Sequence, residues 1–277
     1  MITGKARLAG VMGWPVGHSR SPRLHGWWLR EYAIDGVYVP LAVRPERVVE
    51  AVRALPLLGF AGCNLTVPHK ELVLPAIDAI DPLARRIGAV NTVVVRPDGS
   101  LEGSNTDAFG FIESLRETLP MWRADAGPAV IVGAGGAARA IVVALQDAGA
   151  REIRVTNRTR ARAETFAADL GGLMVVDWDA RADALHGAAL LVNTTTQGMA
   201  GEPSLDLDLA QLPARAVVSD IVYVPLETPL LAAARARGNP TVDGLGMLLH
   251  QARPGFERWF GRAPAVSPAL RAFVLAG

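Results

Sequence analysis

The segment Val130-Ile131-Val132-Gly133-Ala134-Gly135-Gly136-Ala137-Ala138-Arg139-Ala140 sets glycines between an apolar run and a run of small residues. Gly133 permits a sharp turn. Gly135 and Gly136 put no side chain between backbone N–H groups and an incoming ligand. A helix starting there, with Ala137 in its first turn, points its positive end at the same spot. The chemistry is a cradle for pyrophosphate, and the ligand it implies is a dinucleotide. The pattern G-x-G-G-x-A is not the full G-x-G-x-x-G, and glycine loops also serve as plain turns. Context supports the cradle. Ala129 to Val132 reads as a buried strand, Gly136 to Ala148 as a helix with little bulk, and Glu152 to Thr156 as the next strand, one β-α-β unit.

The end of that second strand selects the cofactor. An NAD site usually places Asp or Glu there to accept hydrogen bonds from the ribose hydroxyls. This chain has Asn157-Arg158-Thr159-Arg160-Ala161-Arg162 instead. Three guanidiniums suit a doubly charged 2′-phosphate. A solvated basic helix start is the alternative, but cations are disfavoured at a helix N-terminus unless an anion is present. NADP is therefore expected over NAD.

Four polar clusters precede the glycine loop. The first is Gly13-Trp14-Pro15-Val16-Gly17-His18-Ser19-Arg20-Ser21-Pro22, followed by His25. Ser19 and Ser21 could present hydroxyls to a carboxylate at a helix N-terminus. Equally, Ser21 could be a helix cap and Ser19 plain loop solvation. His18 and His25 lack metal-ligand company, so no metal site is expected. The second cluster, Asn64-Leu65-Thr66-Val67-Pro68-His69-Lys70, sets a lysine where an apolar strand ends, at the sheet edge where ligands sit in open α/β folds. The third is Ala89-Val90-Asn91-Thr92. The fourth is Gly103-Ser104-Asn105-Thr106-Asp107, where Asn105 or Thr106 could cap the next helix with Asp107 in its first turn.

These clusters sit among alternating strand and helix signals. Strands are expected at Leu8 to Met12, Gly36 to Val43 and Phe60 to Val67, and helices from Ser21-Pro22, with Ser21 as cap, and over Pro45 to Leu55. Pro97-Asp98-Gly99 reads as a hairpin turn between Val95 and Leu101. Later strands are expected at Leu173 to Val176, Leu190 to Asn193, Val217 to Val222 and Thr241-Val242, with helices over Thr106 to Leu119, Gly244 to Phe260 and Pro268 to Leu275. Such alternation implies a parallel sheet covered by helices on both faces. The fold class expected is α/β. Residues 1–107, completed by helices in 246–277, would form a substrate domain. Residues 108–245 would form a Rossmann-like NADP-binding domain, with the active site in the cleft between.

The chain has 277 residues, half of them apolar and a fifth charged, enough for a sizeable core. Its formal net charge of +1 points to neither nucleic acid nor membrane as a partner. The apolar run after Lys5 and Arg7 is too short for a signal sequence and is broken by Pro15. The single cysteine, Cys63, excludes an internal disulfide, fits a reducing cytoplasm, and reads as a packing residue.

Taken in order, G-W-P-V-G-H-S-R-S-P, N-L-T-V-P-H-K, G-A-V-N-T-V, G-S-N-T-D, G-A-G-G-A-A-R-A, N-R-T-R-A-R-A, N-T-T-T-Q-G-M, D-I-V-Y and D-G-L-G-M-L-L-H-Q-A resemble the shikimate dehydrogenase family over nearly the whole chain. The resemblance implies NADPH-dependent reduction of 3-dehydroshikimate to shikimate, in aromatic amino-acid biosynthesis. Lys70 and Asp107 would be the catalytic pair. Ser19 and Ser21, with Tyr223 nearby, would bind the substrate carboxylate, and Thr66, Asn91 and Gln251 the ring hydroxyls. Gly133 to Ala137 would cradle pyrophosphate. Asn157, Arg158, Thr159 and Arg162 would read the adenosine end, and Thr194, Ile221, Gly244 and Met247 would line the nicotinamide side. Gly26 departs from the family, which usually has Asn there. An ammonium at Lys70 can stabilise a developing alkoxide and donate the proton that ketone reduction needs. The alternatives are a quinate/shikimate dehydrogenase of relaxed substrate or cofactor choice and a non-catalytic dinucleotide-binding regulator. The expected assembly is a monomer or homodimer.

Overall fold

The computed structural model describes residues 2–276. The chain divides into two compact units. One holds the chain up to Asp107 and from Leu248 onward, the other Ala108–Met247. The second segment of the first unit thus begins at 248, not at 246.

The first unit contains β1 (Arg7–Gly13), α1 (Ser21–Glu31), β2 (Gly36–Ala42), α2 (Val48–Arg53), β3 (Phe60–Leu65), α3 (His69–Leu72), β4 (Ala79–Ile80), α4 (Pro82–Ile87), β5 (Thr92–Val95) and β6 (Leu101–Ser104). Its six strands lie in the order β2-β1-β3-β5-β6-β4. This sheet is mixed, whereas the alternation of strands and helices implied a parallel one. β1 runs parallel to β2 and β3, but β5 is antiparallel to both β3 and β6. The hairpin at Pro97-Asp98-Gly99, where Arg96 N donates to Ser100 O at 2.9 Å, accounts for the β5–β6 pair, because a short turn can only reverse direction. Pro40 sits in β2 at the sheet edge, where a missing N–H costs no ladder bond.

Two local expectations change. Ser21 is the first residue of α1 and Pro22 the second. The cap position is Arg20, with no capping side-chain bond. Ser19 Oγ instead accepts from Ser21 N at 3.3 Å. The stretch expected as one helix over Pro45 to Leu55 splits into a 3₁₀ turn at Pro45–Arg47 and α2. One face of the sheet packs Met12, Cys63, Leu65 and Val93 against Val48, Val52 and Leu55. Cys63 is fully buried there, and burial pushes its thiol pKa up, as befits a packing residue.

The second unit contains most of α5 (Asp107–Thr118), then β7 (Ala129–Val132), α6 (Gly136–Asp147), β8 (Ile153–Thr156), α7 (Arg160–Leu170), β9 (Leu173–Val176), β10 (Leu190–Asn193), β11 (Val217–Asp220), α8 (Pro229–Ala236), β12 (Thr241–Val242) and the first turn of α9 (Gly244–Phe260). The rest of α9, and α10 (Pro268–Leu275), belong to the first unit. There Trp259, on α9, is fully buried and its Nε1 donates to Val93 O at 2.9 Å. That approach requires Gly62, whose φ is +152° and whose added Cβ would stand 2.3 Å from Trp259 Nε1.

The second sheet is wholly parallel, in the order β12-β11-β10-β7-β8-β9. This is the doubly wound dinucleotide-binding order, with β7 as its first strand. β7, β10 and β11 are buried throughout, as strands covered on both faces must be. Phe111, Ile141, Leu145 and Phe166 cover one face, and Leu185, Leu209, Leu230 and Leu231 the other. The order reverses between β7 and β10, so the loops leaving their carboxyl ends diverge and open a crevice.

Candidate active site

In the first unit the sheet brings the four polar clusters to one edge. β1 and β3 are parallel neighbours and their carboxyl ends lie together, with Trp14 N donating to Val67 O at 3.1 Å. β5 runs the opposite way, so its start, with Asn91 just ahead of it, lies at that same edge. Leu65 N donates to Asn91 O at 2.8 Å. β6 ends there too, and Asn91 N donates to Ser104 O at 3.1 Å.

Lys70 and Asp107 meet at this edge. Lys70 Nζ lies 2.5 Å from Asp107 Oδ2, with side chains only 15% and 5% exposed. Lys70 stands in the short helix after β3, and its carbonyl accepts Val90 N at 2.8 Å. Asp107 opens α5, where helix polarity favours a carboxylate. Asn105 ties down the start of this helix from two residues ahead of Asp107. Its Oδ1 accepts from Asp107 N at 3.0 Å, and its Nδ2 donates to Ala89 O at 2.9 Å.

Asn91 holds the cluster from behind. Its Nδ2 lies 2.9 Å from Asp107 Oδ1, 3.0 Å from Thr106 Oγ1 and 3.3 Å from Gln251 Oε1. Its Oδ1 accepts from Thr106 N at 2.8 Å and Thr92 Oγ1 at 2.9 Å. Both oxygens of Asp107 are thereby engaged, one by an ammonium and one by an amide, so the carboxylate has one orientation. A further layer went unread in the sequence. Asn64 Nδ2 donates to Asn91 O and Thr92 Oγ1, both at 3.1 Å, and its Oδ1 accepts the Tyr38 hydroxyl at 2.6 Å. Asn64 lies inside an apolar strand, a placement that itself signals a buried hydrogen-bonding role.

Ser21 is buried, and Ser19 and Thr66 are half-buried. Neither Ser21 Oγ nor Thr66 Oγ1 has a hydrogen-bond partner among the described residues. The partly shielded hydroxyls at this edge are thus open to a ligand. His69 is a packing residue, with Nε2 2.8 Å from Val43 O, and burial lowers its pKa. Among the described residues no group of three or more His, Cys, Asp or Glu could hold a metal ion.

In the second unit, a groove of about 310 Å³ lies at the crevice of the parallel sheet. Gly133, Ala134 and Gly135 form its floor, Thr194 one side, and Asn157, Arg158 and Arg162 its far end. Gly133 has φ +115°, and a Cβ there would stand 2.5 Å from Thr194 Oγ1. A Cβ on Gly135 would meet nothing within 4 Å, so that position faces open groove. Gly135 caps α6, and Gly136 and Ala137 are its first two residues.

Of the three arginines expected to hold a phosphate, the structure leaves two for it. Arg160 forms ion pairs with Glu164 and Asp177 and does not line the groove. Arg158 and Arg162 are exposed, line it, and have no carboxylate partner among the described residues. Asn157 Nδ2 donates to Thr159 O at 2.8 Å, and Thr159 caps α7. The groove also exposes Trp178, Gln197 and Glu202, which sequence reading missed. An aromatic just beyond β9 was the available signal for Trp178.

Of the expected cofactor residues, Gly136, Ala137, Thr159, Ile221, Gly244 and Met247 stand outside the groove lining, as does Tyr223 of the substrate set. Ile221 is half-buried after β11, and Gly244 is buried at the start of α9. Met247 is buried in the hydrophobic core of this unit. Tyr223 is half-buried in the loop after β11, in the second unit, whereas the other five expected substrate-binding residues belong to the first. An open glycine floor, the N-terminus of a twelve-residue helix, two unpaired guanidiniums and no carboxylate at the end of β8 together fit a dinucleotide with an extra phosphate.

Comparison with known proteins agrees with this reading. Residues 11–93 match the shikimate dehydrogenase substrate binding domain, 120–200 the shikimate / quinate 5-dehydrogenase family, and 244–272 the shikimate 5'-dehydrogenase C-terminal domain. The chain is 68% identical over 275 residues to the shikimate dehydrogenase (NADP(+)) of Paramagnetospirillum magneticum, covering 99% of this chain and all of that one. It resembles the structure of the Thermus thermophilus shikimate 5-dehydrogenase in complex with NADP(H) and shikimate, with a TM-score of 0.85 and 36% identity over 97% of this chain and 98% of that one. It also resembles the quinate dehydrogenase of Corynebacterium glutamicum in complex with NAD, with a TM-score of 0.89 and 34% identity over 98% of this chain and 99% of that one. Two α/β units, a mixed sheet carrying the Lys70–Asp107 pair and a parallel sheet carrying the glycine groove, together with identity along nearly the full length, place the chain in the shikimate dehydrogenase family.

Proposed function

We propose that this chain catalyses the reversible NADPH-dependent reduction of 3-dehydroshikimate to shikimate, as a cytoplasmic monomer or homodimer. The Lys70–Asp107 contact carries the proposal, because it sets an ammonium and an oriented carboxylate side by side in a partly shielded site. NADPH, when bound, supplies the hydride that reaches the ketone carbon. The ketone oxygen then gains negative charge, and the Lys70 ammonium stabilises it and delivers the proton that completes the hydroxyl. Asp107, fixed by Asn91, keeps the lysine in place and accepts a hydrogen bond from the reacting hydroxyl. Ser19, Ser21 and Tyr223 receive the substrate carboxylate. Thr66, Asn91 and Gln251 hold the ring hydroxyls.

Gly133 to Ala137 bind the pyrophosphate through backbone N–H groups. Asn157, Thr159, Arg158 and Arg162 take the adenosine end, the arginines gripping its 2′-phosphate. Thr194, Ile221, Gly244 and Met247 form the nicotinamide side. The unpaired arginines favour NADP over NAD, and so favour this reading over a quinate dehydrogenase that uses NAD. The deciding assay follows absorbance of reduced nicotinamide with shikimate or quinate, each with NADP+ or NAD+. Fastest turnover is expected with shikimate and NADP+. No reduced nicotinamide from that pair would defeat the proposal.

A further inference from the structure

Asp220, the last residue of β11, is fully buried and pairs with no lysine, arginine or histidine among the described residues. An unpaired carboxylate in such a place is costly unless hydrogen bonds replace the water it has lost. Here they do. Oδ2 accepts from Thr228 Oγ1 at 2.7 Å, and Oδ1 accepts from Val222 N and Asn193 Nδ2, both at 3.0 Å. Burial raises the Asp220 pKa, and these three bonds oppose the rise.

The bonds run outward into two loops. Asn193 is the register partner of Asp220 on β10. Its Nδ2 also donates to Gln197 O at 3.0 Å, and its Oδ1 accepts from Thr195 N at 3.1 Å and Thr195 Oγ1 at 2.7 Å. Thr195 Oγ1 in turn accepts Gln197 N at 3.1 Å. Ile221 N donates to Asn193 O at 3.1 Å, so the loop after β11 is stitched to the end of β10. One carboxylate therefore sits at the root of both the Thr194–Gln197 loop and the Ile221–Tyr223 loop. An apolar residue of similar size would leave Val222 N, Asn193 Nδ2 and the Thr228 hydroxyl without this acceptor.

We propose that Asp220 is a positioning residue whose carboxylate fixes the loops after β10 and β11, and with them the nicotinamide side of the cofactor site. The proposal rests on the assignment of Thr194 and Ile221 to that side. It separates two parts of the cofactor site. The glycine floor and the arginines belong to β7 and β8 and should bind the nucleotide without Asp220, whereas hydride transfer depends on the loops it holds.

The test compares the full-length chain with Asp220→Ala and Asp220→Asn in three measurements. These are amide hydrogen exchange, NADP+ binding by tryptophan fluorescence, and shikimate oxidation. In Asp220→Ala the amides of Thr195, Gln197 and Val222 should exchange at least tenfold faster. The Kd for NADP+ should stay within threefold, and kcat should fall tenfold or more. Asp220→Asn keeps an acceptor for Val222 and Asn193 and should restore most of both losses. Should Asp220→Ala fail to fold, Thr228→Ala removes the Oδ2 partner, together with the cap that the same hydroxyl gives Leu231 N at the start of α8, and should give the same loop pattern at about threefold. Unchanged exchange at those amides, a folded Asp220→Ala with kcat within twofold of the parent, or NADP+ affinity lost in step with kcat would overturn the proposal. If the parent itself does not oxidise shikimate, the assigned reaction fails, and the exchange data still decide the role of Asp220.

Discussion

Replacing Arg158 with alanine separates the 2′-phosphate from the rest of the cofactor. Arg158 lines the groove, is exposed, and has no carboxylate partner among the described residues, so its removal leaves no orphaned charge and no cavity. A charge-assisted hydrogen bond contributes about 1.5–3 kcal/mol. Solvent around an exposed guanidinium holds the value near the low end, about 1.5 kcal/mol, which is roughly tenfold in a binding or specificity constant. Arg158→Ala should therefore lower kcat/KM for NADPH about tenfold and that for NADH less than twofold. Arg162→Ala should act in the same sense. Arg160→Ala is the internal control. Its guanidinium is spent on Glu164 and Asp177, outside the groove, and the NADPH to NADH ratio should not move. The assay is steady-state reduction of 3-dehydroshikimate with each cofactor. Equal losses for NADPH and NADH in Arg158→Ala, or a shifted ratio in Arg160→Ala, would refute the assignment.

Further outcomes follow from backbone and burial. Gly135→Ala adds a Cβ that meets no protein atom, so Tm should hold within a degree or two while NADP+ binding weakens about tenfold or more, because the methyl occupies ligand space. Gly133→Ala should lower both Tm and NADP+ affinity, since its φ is +115° and its Cβ would press on Thr194. His25 is fully buried and stacked on Tyr38 with ring centroids 3.9 Å apart, and burial lowers its pKa to about 3. The unfolded chain takes up a proton at this imidazole below about pH 6.5, whereas the folded chain does not until about pH 3. The stability His25 contributes is thus present above pH 6.5 and is lost as pH falls toward 3. Urea titrations of His25→Leu should show an acid slope shallower by about 1 kcal/mol per pH unit in that window. Identical slopes for parent and variant would refute the neutral, buried state.

The glycine loop, the Lys70 cluster and the strands around them were legible in sequence because each pairs a short-range backbone signal with a polar residue at a strand end. Ala129–Val132 and Leu190–Asn193 are runs buried on both faces, which composition alone reveals. What stayed hidden depended on long-range pairing. Nothing near Thr92 announces that β5 runs antiparallel to β3, although the hairpin that forces β6 to reverse was readable at Pro97-Asp98-Gly99. Ser21 looked like a cap, but it is itself the first helical residue, so the helix begins one residue earlier than a Ser21 cap implies. Arg160 resembled its two neighbours until the fold brought Asp177 beside it, 17 residues on. Asn64 and Tyr38 work through partners 26 to 28 residues away, and Asp220 is joined to Asn193 27 residues back, beyond any local pattern.

In the proposed reaction an ammonium at Lys70, held by Asp107, carries the proton step of ketone reduction. That role is tested most directly by kcat and KM for shikimate oxidation in Lys70→Ala, with NADP+ binding measured on the same preparation to establish a folded cofactor site. In this variant kcat should fall by about a hundredfold or more, the usual scale for a general acid–base group, with KM for shikimate changed little and NADP+ affinity retained. A folded Lys70→Ala that turns over at close to the parent rate would contradict it.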